Sequence, residues 1–189
     1  MATYTAYDTV HELALEQHGV FKASQAVGLG IEPKTLVAMA ARGHLLRLDH
    51  GLYRDRRIPE DRWTPYMAAA LWPHGTVGFL GRETVLGLLD LSDVNPGTIH
   101  VLVPPTHRPR HRQPPPGVVL IRAEVAEADR TAIEGVPATT VARAIRDCAA
   151  ANVGPAILRH AIDDARRTGY LTPAEVTELT ADLTRDGKL

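Results

Sequence analysis

Four arginines lie close together in the stretch GHLLRLDHGLYRDRR, residues 43–57. They are Arg47, Arg54, Arg56 and Arg57, and they surround the dipeptide His50-Gly51. A guanidinium group suits phosphate because its planar fork donates two parallel hydrogen bonds. The stretch therefore indicates contact with a phosphate backbone, although the chain as a whole is close to neutral.

The basic residues are concentrated in one part of the chain. Overall there are 21 basic and 22 acidic residues, a net charge of -1, which argues against strong non-specific binding to nucleic acid. Between Lys22 and Arg57 there are seven basic and three acidic residues, a local charge of +4. The predicted DNA-binding residues are Lys22, Lys34, Thr35, Arg42, Arg47, Arg54, Arg56 and Arg57.

A second basic segment, THRPRHRQPPPG, covers residues 106–117 and contains Arg108, Arg110 and Arg112. Its prolines exclude a helix and remove the donors that a strand needs, so the segment is predicted to be a loop. We expect it to be either a second DNA contact or a surface for a protein partner.

Residues suited to catalysis are not arranged for it. A metal-dependent nuclease needs two acids with a lysine beside them, and none of the three lysines, Lys22, Lys34 and Lys188, follows an acid at the expected spacing on a strand. Phosphate-binding glycine loops and a G-x-S-x-G nucleophile motif are also absent from the sequence. We expect a non-enzyme without catalytic residues, metal ion or cofactor.

Two further sites have structural interpretations. His160 and Asp164 are four residues apart on a predicted helix, but two ligands do not make a metal site, and an exposed ion pair explains them. The single cysteine, Cys148, is predicted to be a small core residue.

The segments that contain the first basic cluster are predicted to form a winged helix-turn-helix. Apolar spacing predicts helices over 8–18, 22–27 and 33–43, the last beginning at Pro33 and ending at Gly43. The flanks of Asp49-His50-Gly51 predict a β-hairpin, anchored by Leu46, Leu48, Leu52 and Tyr53. Such folds bind DNA, but they also serve as protein-protein modules.

The rest of the chain predicts an α+β protein. Helices are expected over 64–72, 82–90, 141–151 and 153–169, and strands over 98–105 and 118–125. Thr172 and Glu175 form a predicted capping box that opens the last helix, which runs to about Arg185. We therefore expect an N-terminal winged helix-turn-helix over residues 1–58, followed by a mixed α/β C-terminal domain over 59–189 with a small sheet and several helices.

The N-terminus lacks a basic start followed by an apolar run, and no apolar stretch approaches the ~18 residues of a membrane span. We expect a cytoplasmic protein that does not contact a membrane.

Four segments of the chain share their pattern with one known protein family. The stretch GIEPKTLVAMAARGHLLRLDHGLYR is similar to the winged-helix start of AbiEi-type antitoxins. PGTIHVLVPPTHRPRHR, GVVLIRAEV and GVPATTVARAIRDCAAA resemble its continuation. The resemblance covers about residues 10–170.

The resemblance implies a bacterial antitoxin that represses its own operon and counters a nucleotidyltransferase-like toxin. It places Lys34 and Thr35 on the recognition helix, and Arg47, Tyr53 and Arg54 on the wing. In the Thr-Thr-x-x-Arg stretch it favours a helix cap with a buried pair between Arg143 and Asp147.

One winged helix should bind DNA weakly, so specificity requires two copies on an inverted repeat, as a homodimer or by cooperative binding, or a second contact. The sequence leaves two alternatives open. One is a winged-helix regulator with a ligand-sensing or dimerising C-terminal domain and no toxin. The more distant one is an enzyme that acts on nucleic acid.

Overall fold

The computed structural model of the chain describes residues 5–92, 97–108 and 113–189. The chain divides into two compact units. The first runs to Val77 and includes Ile133–Val136, and the second contains Gly78–Ala132 and Pro137–Leu189.

The first unit has the element order of a winged helix. It contains helices α1 (Ala6–Leu15), α2 (Ala23–Gly28), α3 (Pro33–Ala41) and α4 (Thr64–Leu71), and strands β1 (Val20–Lys22), β2 (Leu45–Asp49) and β3 (Leu52–Asp55). The strands form an antiparallel sheet in the order β1-β3-β2. The predicted hairpin and all four helices are confirmed, with ends shifted by a few residues.

Buried apolar side chains from the helices and the sheet form the core of the first unit. Phe21 and Tyr53 face each other across β1 and β3, with ring centroids 5.9 Å apart. The other buried members are Val10, Ala14, Ala26, Ile31, Leu36, Met39 and Leu45. The core therefore fixes α3 and the wing, β2–β3, on one scaffold.

Two expectations for this half need correction. Val20–Lys22 is a strand, and the second helix begins at Ala23; three residues are too few for a recognisable pattern, and pairing with β3 is what makes them a strand. Leu48 does not anchor the wing, because it is 39% exposed.

The first unit extends past residue 58, where the sequence placed a boundary. Helix α4 packs on β1, and the Thr64 hydroxyl donates a hydrogen bond of 3.2 Å to the carbonyl oxygen of His18. The polar segment before α4 is therefore a turn inside the unit and not a linker.

The second unit combines a sheet with helices. Its strands are β4 (Phe79–Leu80), β5 (Ile99–Val103), β6 (Val118–Arg122), β7 (Arg130–Ile133) and β8 (Val136–Thr139), in the order β6-β5-β4-β8-β7. Its helices are α5 (Glu83–Leu88), α6 (Val141–Ala150), α7 (Pro155–Arg167) and α8 (Pro173–Arg185). The mixed α+β class is confirmed. The sequence analysis missed β4, β7 and β8, which are only two to four residues long.

Local signals set the helix ends of the second unit as expected. The Thr172 hydroxyl accepts a hydrogen bond from the Glu175 amide, and the Glu175 carboxylate accepts one from the Thr172 amide. Within the described ranges, no helix has the length and apolar character needed to cross a bilayer.

Candidate nucleic-acid interface

Helix α3 is held by its core face and by its ends. Leu36 and Met39 are buried, which fixes one side of the helix on the core. Pro33 occupies the first turn, where its missing amide costs nothing. At the other end the amides of Gly43 and His44 bond to the carbonyls of Ala40 and Met39, and Gly43 has φ +80°. This Schellman motif ends the helix and directs the chain into β2.

Four of the predicted DNA-binding cations lie in exposed positions around α3 and the wing. Lys34 is 83% exposed and pairs with Glu32 at 2.7 Å, and Arg42 caps the end of α3. Arg47 lies near the wing tip, with its guanidinium 3.0 Å from the ring of His50. Arg56 lies at the base of the wing, where its amide bonds to the carbonyl of His44. These four side chains, Lys34, Arg42, Arg47 and Arg56, are defined here as the outward cations.

Arg54 and Arg57, also predicted as DNA contacts, bind groups of the first unit, although the Arg57 side chain is still 38% exposed. The Arg54 side chain is 14% exposed, donates to the carbonyl of Ile58 at 3.0 Å and pairs with Glu60 at 3.0 Å. The Arg57 guanidinium lies 3.6 Å from the ring centroid of Tyr7 and pairs with Asp55 at 3.3 Å. Both arginines therefore brace the wing.

Lys22 points away from solvent. Its ammonium donates to the carbonyl oxygens of Pro73, at 2.7 Å, and Thr76. Burial lowers the pKa of Lys22 to about 8. The ammonium holds the segment after α4 against β1, and Thr35, the remaining predicted contact, is half-buried on α3.

The two carboxylates of the wing are also turned inward. Asp55 is fully buried and receives hydrogen bonds from the Arg57 amide at 2.8 Å and from the His11 ring at 2.7 Å. Burial alone would raise the pKa of Asp55, but these hydrogen bonds and that of the Arg57 guanidinium hold it below its usual range. Asp49 accepts a hydrogen bond of 2.6 Å from the indole of Trp72. Both wing carboxylates are thus bound by neighbouring groups, whereas Glu32 remains exposed beside Lys34.

Sequence reasoning missed the residues that hold the wing from outside it. Trp72 reaches Asp49 across 23 positions, and the ring of Tyr7 contacts both Arg57 and His44, the latter with centroids 4.9 Å apart. No local pattern predicts these contacts, because they depend on how α1 and α4 pack on the sheet.

The second unit contains the expected pair between Arg143 and Asp147. Arg143 bonds to Asp147 at 2.9 Å and to Asp129 at 2.8 Å, and the Thr140 hydroxyl caps α6. Hydrogen bonds to the two carboxylates raise the pKa of Arg143 although burial opposes them. The predicted helix cap and the ion pair are present, but the two side chains are half-buried and not buried as expected.

The other residues considered in the sequence analysis are Cys148, the pair of His160 with Asp164, and the arginines of the second basic segment. Cys148 is fully buried, and burial raises the pKa of its thiol. His160 pairs with Asp164 at 3.2 Å, as expected for helix neighbours. No group of three potential metal ligands was found among the described residues. Arg108 is exposed and donates to the carbonyl of Pro105 at 3.2 Å, whereas Arg110 and Arg112 lie outside the described residues.

The first unit is thus a winged helix with cations around its recognition helix and wing. Residues 8–54 match the family described as "Transcriptional regulator, AbiEi antitoxin", and the match runs from α1 into β3. The predicted resemblance to AbiEi-type antitoxins is therefore confirmed for the winged helix.

Comparison with solved structures finds a similar chain over most of the length. The crystal structure of RV2827C protein from Mycobacterium tuberculosis is 19% identical, covers 96% of this chain and 82% of its own, and has a TM-score of 0.42. No curated protein matches the chain.

Proposed function

We propose that this protein is the antitoxin of a bacterial toxin-antitoxin system, which represses its own operon and neutralises a cognate nucleotidyltransferase-like toxin. The observation that carries the proposal is the charge arrangement of the winged helix, most of which lies within the family match. The outward cations are exposed, whereas both wing carboxylates are bound inside the unit.

The DNA part of the proposal assigns a task to each element. Helix α3 enters the major groove of operator DNA, and the wing lies along the adjacent backbone. Arg47 and Arg56 contact phosphates, which position the protein without reading sequence. Lys34 and Arg42 flank the groove from the two ends of α3.

Toxin neutralisation is assigned to residues outside the winged helix, within 59–189. Support for this part is the antitoxin description of the family that residues 8–54 match. The loop that contains Arg108 is a candidate contact, because Arg108 is exposed beside the described end of that loop.

The DNA part is tested with a duplex from the promoter upstream of the protein's own operon. Fluorescence anisotropy should show binding that weakens steeply as salt rises, because each phosphate contact releases counterions. Binding with a weak salt slope, or no preference for this duplex over one of shuffled sequence, would contradict operator recognition.

The toxin part is tested by co-expression with the neighbouring gene product. We expect growth arrest by that product alone and rescue when this protein is added, with co-elution in size-exclusion chromatography if neutralisation works through a complex. A neighbour that is not toxic, combined with retained operator binding, would favour a regulator without a toxin.

A further inference from the structure

The surface that α3 presents to a DNA groove is mainly apolar. Residues 34, 37, 38 and 41 share the side opposite the buried Leu36 and Met39, since they follow helical spacing. Val37 is 56% exposed near the middle of this side, with Ala38 half-buried and Ala41 exposed beside it. Lys34 is the only side chain with a charged donor on that side.

An exposed valine on its own needs no explanation. Here, however, the valine lies on the helix that a winged helix presents to DNA, and cations flank it. Lys34 precedes it on the same side, and Arg42 follows at the end of the helix. The surroundings thus attract a polyanion, while the centre lacks the amides and guanidinium groups that usually read adenine or guanine.

The major groove contains one apolar feature that such a surface can recognise, the C5 methyl group of thymine. We propose that Val37, with Ala38 and Ala41 beside it, reads thymine methyl groups and so gives the operator half-site its preference for A·T pairs. This inference rests on the proposed DNA-binding function and specifies how that function selects sequence.

The proposal separates two kinds of contact. Lys34, Arg42 and the wing would hold the backbone of any duplex, whereas Val37 would distinguish thymine from the other bases by apolar contact. Removal of one methyl group from such a contact should weaken binding about three- to fivefold, the effect expected for one buried methyl or methylene group.

The test starts with a duplex selected by the intact protein from a randomised library. Each thymine of the selected half-site is then replaced by deoxyuridine, which removes the methyl group and keeps every hydrogen-bonding atom. Affinity is measured for the wild-type protein, for Val37→Ala and for Val27→Ala. Val27 is 44% exposed on α2, so the control makes the same change on another helix.

We expect A·T pairs in the selected half-site and a threefold or larger loss at one or more deoxyuridine positions. That loss should persist in Val27→Ala. It should disappear in Val37→Ala, because this variant already lacks the contact that deoxyuridine removes. Wild-type binding unaffected by every replacement, or an equal loss in both variants, would overturn the role of Val37 and leave the DNA-binding proposal intact. Failure to select any duplex would overturn both.

Discussion

At the scale of single residues, position decides what each arginine of the wing does. Arg54 lies on β3, the central strand of the three-stranded sheet, where neighbouring segments cover it. Arg47 lies on the edge strand β2, and Arg56 follows the end of β3, so both remain exposed. The same side chain therefore braces the fold at one position and is available to phosphate at another.

Replacement of Arg56 by alanine should affect DNA binding, and replacement of Arg54 by alanine should affect stability. Arg56→Ala should reduce the slope of log affinity against log salt concentration by about 0.9, the value expected for the loss of one phosphate contact. It should leave the free energy of unfolding unchanged. Arg54→Ala should lower the free energy of unfolding by about 1 to 2 kcal/mol through lost packing and hydrogen bonds. Anisotropy titrations and urea unfolding measure the two quantities, and an unchanged salt slope in Arg56→Ala would contradict its assignment.

Lys22 makes stability depend on alkaline pH. Its folded-state pKa, about 8, is below the ordinary lysine value, so between the two the unfolded state binds more protons and stability rises with pH. From pH 7.5 to 10 the wild type should gain about 1 to 3 kcal/mol relative to Lys22→Met. The exposed Lys34→Met is the matched control, and parallel pH curves for wild type and Lys22→Met would refute the expectation.

At the scale of elements, the wing is held by residues that lie outside it. His11 and Tyr7 of helix α1 contact the base of the wing. Trp72, the residue after α4, contacts Asp49 near the wing tip. These contacts restrain the hairpin in the free protein, so less ordering is needed when it meets a rigid duplex.

Trp72→Phe should weaken operator binding by removing the indole donor to Asp49. The carboxylate would then repel phosphates near the wing tip, which should lower affinity about two- to fivefold at low salt and less at high salt. Trp63→Phe, at a ring that stacks with Arg62, is the control. Addition of Asp49→Asn to Trp72→Phe should restore affinity; no recovery would mean that the indole acts in another way.

At the scale of the whole molecule, one winged helix offers little recognition surface. Specific binding at physiological salt usually needs contacts from more than one such module. We therefore expect two copies of the chain to bind one operator that carries an inverted repeat, with half-sites about one helical turn apart.

Native mass spectrometry or analytical ultracentrifugation of the protein with its operator should show two copies per duplex. Deletion of one half-site should weaken binding by at least about tenfold, beyond the twofold expected from counting sites. Equal affinity for one and two half-sites would show that a single chain supplies the specificity, through contacts beyond α3 and the wing.

Much of the local structure, and the winged-helix class of the N-terminal half, could be predicted from the sequence. Pro33, Gly43 and Gly51 mark helix and hairpin ends through their own backbone restrictions, and Thr172 with Glu175 marks a helix start, so neighbouring residues suffice to predict these features. The cluster of basic residues was equally visible, since charge is a property of composition.

The partners of those charged groups, in contrast, depend on contacts that form only in the folded protein. Three members of the basic run have partners elsewhere in the first unit. Lys22 bonds to Pro73, 51 positions away, and the Arg57 guanidinium lies over the ring of Tyr7. Arg54 pairs with Glu60. Contacts between distant segments also produce strand β1, the extension of the first unit through α4, and the hydrogen bond between Trp72 and Asp49. Contacts between distant segments have no local sequence signature, because they form only when the helices close over the sheet.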